Sequence, residues 1–93
     1  MDILQIVNNP EDGRFQALVG EHLALLNYQI QGGVFQIDYV YVPVEFRGRG
    51  IAGALMETAL AYARTAGLRV VPVCGFARSY IERSATDPQY PAA

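Results

Sequence analysis

The chain contains no lysine and no tryptophan, and only one cysteine and one histidine. Each scarcity removes a class of function. A single cysteine, Cys74, forms no intramolecular disulfide, so a secreted disulfide-stapled scaffold is excluded. One Cys and one His without ligand-like spacing leave no internal zinc site, and no metal is expected. No stretch approaches the roughly 18–20 consecutive apolar residues of a membrane-spanning helix. Met1-Asp2-Ile3-Leu4-Gln5 lacks the basic start of a signal peptide, so the expected location is cytoplasmic, with no membrane partner. The seven basic residues, all arginine, are outnumbered by nine acids, for a formal net charge of −2. Nucleic-acid binding needs a positive surplus or a concentrated basic face, so no nucleic-acid partner is expected. Two readings fit the all-arginine choice: bidentate recognition of anions, or a bias in base composition.

What the chain does have is apolar material. Its 93 residues are 52% hydrophobic and 17% charged, which excludes a disordered chain and sets the expectation of one domain spanning 1–93. The first half reads as strands. Ile3 to Val7 is a short apolar run closed by the turn formers Asn8-Asn9-Pro10-Glu11-Asp12-Gly13. Arg14 to Val19 alternates, with Phe15, Ala17 and Val19 on one face. Gly20-Glu21 turns into His22 to Ile30, and Gln31-Gly32-Gly33 into Val34 to Val42. Four sequential strands joined by short turns predict an antiparallel meander.

The period then changes. Ile51, Leu55, Ala59, Tyr62 and Ala66 recur at helical spacing, and Gly67 suits the position just past a helix end. Leu68 to Cys74 reads as a fifth strand. A strand–helix–strand sequence calls for a right-handed crossover, so the fifth strand should lie parallel to the fourth. Phe76 to Arg83 reads as a short second helix, and Ser84 to Ala93 as a loose tail. The expected class is therefore α/β in the α+β sense, a mixed sheet with a C-terminal helix. Pro72 inside strand five lacks a ladder donor, which fits an edge position or a gap between strands four and five. Such a gap would expose backbone groups to a ligand.

Arg47-Gly48-Arg49-Gly50-Ile51-Ala52-Gly53 stands between strand four and the long helix. Glycines permit tight turns, and the free N–H groups of a first helical turn attract phosphate. An anion cradle and a merely structural loop both fit these residues. Gly48, Gly50 and Gly53 also spell G-x-G-x-x-G, but five residues, Pro43-Val44-Glu45-Phe46-Arg47, separate them from the strand end. The acidic residue expected about 20 positions on is missing as well, so a dinucleotide fold fails on context.

Arg47, Gly50 and Ala52 fill [Gln/Arg]-x-x-Gly-x-[Gly/Ala], the pyrophosphate loop of the GNAT superfamily of N-acetyltransferases, which the chain resembles. The likeness continues through Ala59-Leu60-Ala61-Tyr62-Ala63-Arg64-Thr65-Ala66-Gly67-Leu68. It extends into Val71-Pro72-Val73-Cys74-Gly75-Phe76-Ala77-Arg78-Ser79-Tyr80-Ile81, which is similar to the abbreviated single-domain branch. The resemblance implies a GNAT-like mixed sheet and acetyl-CoA or coenzyme A as cosubstrate. The acceptor it implies is an amine, on a small molecule or a protein. It places the pyrophosphate on Arg47, Gly48, Arg49, Gly50, Ile51, Ala52 and Gly53, and the pantetheine arm between strands four and five. Val40 and Val42 supply backbone groups, one an oxyanion donor, and Cys74, Phe76 and Tyr80 complete the cofactor wall.

In that branch a cysteine at the place of Cys74 is the suspected catalytic group, as acyl carrier or proton donor. An inert packed cysteine is the alternative. Related sequences carry histidine and glutamate near the end of strand four, where this chain has Tyr39 and Tyr41. Glu45 and Asp38 are the nearest carboxylate candidates for a base, and Tyr41 or Tyr80 for an acid. Other members place helices between their first two strands, where this chain has only 8–13, so an open acceptor surface is expected. A monomer or weak homodimer fits that size. The competing reading is a non-catalytic CoA- or acyl-CoA-binding module.

Overall fold

The structure, a computed structural model, describes residues 4–84. Its sheet contains β1 (Val7–Asn9), β2 (Arg14–Val19), β3 (His22–Gln31), β4 (Val34–Tyr41) and β5 (Arg69–Pro72), in spatial order β1-β2-β3-β4-β5. The first four are antiparallel neighbours, and β5 runs parallel to β4. Helix α1 (Ile51–Thr65) crosses from β4 to β5, and α2 (Gly75–Ser84) follows β5. This is the mixed α+β sheet expected from the change of period.

Alternation decides which face of the sheet is covered. Phe15, Ala17, Ala24, Leu26, Tyr28, Phe35 and Ile37 are buried together with Ile51, Leu55, Met56, Ala59 and Ala63 of α1. Burial of these apolar side chains is the main force holding helix to sheet. Aromatic rings pack within the sheet and across to the helix: Tyr28 of β3 stacks on Phe35 of β4 at 4.7 Å between centroids, and Tyr62 of α1 meets Phe15 edge-on at 5.6 Å. The helix ends in a Schellman arrangement. Leu68 N–H bonds the Ala63 carbonyl at 2.8 Å and Gly67 N–H bonds that of Arg64 at 3.2 Å, with Gly67 at φ 70°. Arg69 N–H then joins the Gly33 carbonyl at 2.9 Å, which starts the parallel pairing.

Several elements differ from the sequence expectation, among them β5, which occupies Arg69–Pro72 rather than Leu68 to Cys74. The first strand occupies Val7–Asn9 rather than Ile3 to Val7. Asn8 is drawn into the sheet because its side-chain oxygen accepts the Tyr28 hydroxyl at 2.6 Å, so the turn starts later. It is closed by Asp12 N–H on the Asn9 carbonyl at 3.2 Å and Gly13 N–H on that of Pro10 at 3.2 Å. In addition, a single 3-10 turn, Val44–Phe46, follows Pro43 where no element was expected. Ser84 closes α2 instead of opening the tail, and the rest of the expected tail, 85–93, lies outside the described residues.

Candidate functional site

The sheet opens between β4 and β5, and three local features open it. First, β4 carries a bulge. Tyr28 pairs with Ile37 and Asn27 with Tyr39, which leaves Asp38 as the extra residue. The side-chain alternation slips by one there. Buried Phe35 and Ile37 give way to half-buried Val40 and buried Val42, while Tyr39 and Tyr41 are exposed on the opposite face.

Second, the bulge decides where backbone groups point. Tyr28 N–H bonds the Gly13 carbonyl at 2.9 Å on the β2 side, so by alternation Leu25 and Asn27 face β4. Their partners Tyr41 and Tyr39 therefore spend their backbone groups on β3. Val40, between them, turns its N–H and carbonyl toward the other edge of β4.

Third, β5 has already ended on that edge. Its pairing runs from Val34↔Arg69 to Ile37↔Pro72. Val73 N–H at 2.9 Å and Cys74 N–H at 3.2 Å then converge on the single Ile37 carbonyl as the chain leaves for α2. The missing N–H of Pro72 is not the cause of the opening. The β5 donors directed at β4 belong to Arg69 and Val73, so the nitrogen of Pro72 faces the outer edge of the sheet.

The result is a cleft of about 510 Å³. One end is the glycine-rich loop, where Gly48, Gly50, Ile51, Ala52 and Gly53 form the wall. Gly50 caps α1 at φ 83° and ψ 9°, with no side chain bonded to the helix end and no acid in the first turn. Ala54 N–H is bonded back to the Gly50 carbonyl at 3.0 Å, whereas the N–H groups of Ile51, Ala52 and Gly53 have no intrahelical acceptor. Three N–H groups at the positive end of a helix dipole, beside a wall without side-chain bulk at Gly48 and Gly50, suit an anion.

Tyr39, Val40, Tyr41 and Val42 of the β4 end, and Phe76, Tyr80 and Arg83 of α2, flank the rest of the cleft. The ring of Tyr41 is stacked between Tyr39, at 6.3 Å and 12°, and the Arg47 guanidinium, 5.9 Å from its centroid. Arg47 is itself held by its Nε–H on the Val42 carbonyl at 2.9 Å. On the other wall Phe76 and Tyr80 lie 6.2 Å apart. Burial, the negative charge of Glu57 and the hydrogen bond that the Tyr80 hydroxyl gives Glu57 all push the Tyr80 pKa above its usual value, against a smaller opposing pull from Arg83. Tyr80 is therefore a protonated wall residue with its hydroxyl directed at α1.

Most residues expected from the sequence meet here: Val40, Tyr41, Val42, Arg47, Gly48, Gly50, Ile51, Ala52, Gly53, Phe76 and Tyr80 all line the cleft. Three do not. Glu45 is exposed on the 3-10 turn, and Arg49 lies over the Phe46 ring at 5.3 Å. Cys74 is half-buried against the core at the end of β5, where its carbonyl receives Arg78 N–H at 3.0 Å. Tyr39, Phe46 and Arg83 are wall residues that the sequence reading passed over. Arg83 was legible, since Phe76, Tyr80 and Arg83 follow i, i+4, i+7 on one helix face. Among the described residues, no group of three His, Cys, Asp or Glu side chains is placed to hold a metal ion, and no helix is long and apolar enough to cross a membrane.

A parallel β4–β5 pair that opens at a bulge, with a glycine-capped helix between the two strands, agrees with the mixed sheet that the GNAT resemblance implies. Residues 14–90 match the family described as GCN5-related N-acetyl-transferase, and the chain belongs to that family. A search of curated proteins returns no match.

Proposed function

We propose that the protein transfers the acetyl group of acetyl-CoA to an amine nitrogen. The observation that carries this is one cleft holding both an open helix N-terminus and, farther along, the inward-turned N–H of Val40. On this reading the pyrophosphate lies on the N–H groups of Ile51, Ala52 and Gly53, with Arg47 and Arg49 adding positive charge around the loop. The pantetheine arm occupies the place beside β4 that β5 has vacated, using the free backbone groups of Val40. The thioester oxygen accepts from the Val40 N–H, which is aimed before any charge develops and so stabilises the tetrahedral intermediate selectively. Phe76 and Tyr80 cover the arm.

The amine attacks the thioester carbon directly. Cys74 packs against the core off the cleft wall, which favours direct transfer over an acyl-enzyme, and Glu45 likewise lies outside the wall. Proton traffic is then left to Tyr41 and solvent. The test pairs calorimetric titration of acetyl-CoA and CoA with mass detection of N-acetyl products over a panel of amines. Binding with amine-dependent turnover is the expected result. Binding without turnover on any amine supports the non-catalytic CoA module instead, and absence of binding refutes both.

A further inference from the structure

Among the described residues the cleft wall carries five aromatic rings and no carboxylate or histidine to deprotonate an ammonium ion. The charged groups among its described wall residues are Arg47 and Arg83, both cations, and none is a carboxylate or a histidine. The nearby carboxylates, histidine and cysteine are not among the described wall residues. Asp38 accepts Gln29 Nε2 on one oxygen and Gln36 Nε2 on the other, each at 2.6 Å. Glu57 takes the Tyr80 hydroxyl, Glu45 is exposed on its turn, and His22 lies 6.3 Å from the Phe46 ring on the β2–β3 hairpin. Cys74 packs on the core.

An alkylamine as basic as lysine is unprotonated to only about one part in 2,500 at pH 7, so its acetylation needs a base and profits from an anion to hold the ammonium. The described residues of this wall offer neither. It offers flat apolar surface on both sides, Tyr39 and Tyr41 from β4 and Phe76 and Tyr80 from α2.

Resting on the acetyltransferase reading above, we infer that the acceptor is a weakly basic aromatic amine, neutral at pH 7, whose ring stacks on Tyr39, the exposed end of the Tyr39–Tyr41–Arg47 stack. The chemistry balances without a catalytic base. The amine lone pair forms the C–N bond, the C–S bond breaks with its electron pair going to sulfur, and the proton lost by nitrogen ends on the departing thiol through solvent. Tyr39 and Tyr41 lie on the face opposite α1, so the acceptor approaches from that face of the sheet.

The experiment compares aniline with benzylamine, nearly equal in size and opposite in protonation at pH 7, after acetyl-CoA binding has been measured by calorimetry. Acetanilide and N-benzylacetamide are quantified by mass spectrometry. The expected result is a higher kcat/KM for aniline at pH 7, with benzylamine gaining as pH rises toward its own pKa. Tyr39→Ala is expected to raise the KM for aniline severalfold more than it weakens acetyl-CoA binding. Bound acetyl-CoA with benzylamine equal or preferred at pH 7, or with neither amine acetylated, overturns this inference alone. Failure to bind acetyl-CoA overturns the reading on which it rests as well.

Discussion

Replacing Gly50 and Gly53 by alanine should change stability in opposite directions, although the two sites are three positions apart on one loop–helix junction. Gly50 is at φ 83°, and a Cβ added there meets nothing within 4 Å. No steric contact offsets or adds to the backbone term, which for an L-residue in the left-handed region is about 1–2 kcal/mol. In a domain of this size about 1 kcal/mol lowers Tm by roughly 4–8 °C. Gly53 lies inside α1 with an ordinary helical backbone, and its added Cβ would touch the Tyr80 ring at 3.7 Å, a normal van der Waals distance. Alanine there gains helix propensity of up to about 1 kcal/mol, so Tm should rise. Gly50→Asn, which tolerates the left-handed region better, should fall between wild type and Gly50→Ala. Thermal unfolding followed by circular dichroism, with urea titration as a check, measures all three. A neutral Gly50→Ala would refute the assignment of Gly50 as the left-handed cap that aims the first-turn N–H groups, and a destabilising Gly53→Ala would refute the ordinary helical placement of Gly53 against Tyr80.

Val40→Pro removes one N–H without touching the β3–β4 ladder and should slow acetyl transfer by about 10²–10³ while acetyl-CoA still binds; an unchanged kcat excludes Val40 as the oxyanion donor. Arg49→Glu should weaken CoA binding severalfold and more strongly at low salt, because it reverses a charge beside the phosphate loop; calorimetry at two ionic strengths checks this, and equal affinity removes Arg49 from the site. Tyr28 and Tyr80 both have pKa values raised above 10.0, chiefly by burial. Their contribution to stability is therefore complete below pH 10 and is lost above it, where the unfolded chain ionises first, and Tyr28→Phe should flatten part of that alkaline loss in urea titrations. Pro72→Val restores an N–H on the free edge of β5 and should promote concentration-dependent association in sedimentation experiments, with acetyl-CoA affinity retained.

The fold was legible where one local signal dominated. Alternation over Arg14–Val19 and Val34–Tyr41, and helical spacing from Ile51, set the sheet and α1 because burial of one face rewards that periodicity alone. The loop was legible because Gly48 and Gly50 meet a backbone demand that few other residues satisfy. What escaped was tertiary. Asn8 reads as a turn former, but the Tyr28 hydroxyl, twenty positions away in the chain, pulls it into β1. The bulge at Asp38 has no glycine to announce it and shows only in the pairing with Asn27 and Tyr28. Arg49 looked equivalent to Arg47 in sequence. Stacking on Phe46 turns it off the wall, while the Val42 carbonyl holds Arg47 on it.

Strand β5 leaves an opening on its inner side and few pairing groups on its outer edge. Its four residues give every inward donor to β4 before the strand ends, and the chain then turns into α2 through Val73 and Cys74. Past Ile37 the inner edge is left to Val40, with no strand beside it. On the outer edge alternation leaves Val70 and Pro72, and only Val70 has an N–H to offer. An incoming strand needs a repeating row of donors and acceptors, and a single donor beside a proline ring does not supply one. A ligand arm needs only a few backbone groups at one place, which the inner edge does supply. Shortness and the proline thus act on opposite edges of the same strand: ending early opens the sheet beside β4, and Pro72 removes a donor from the outer edge.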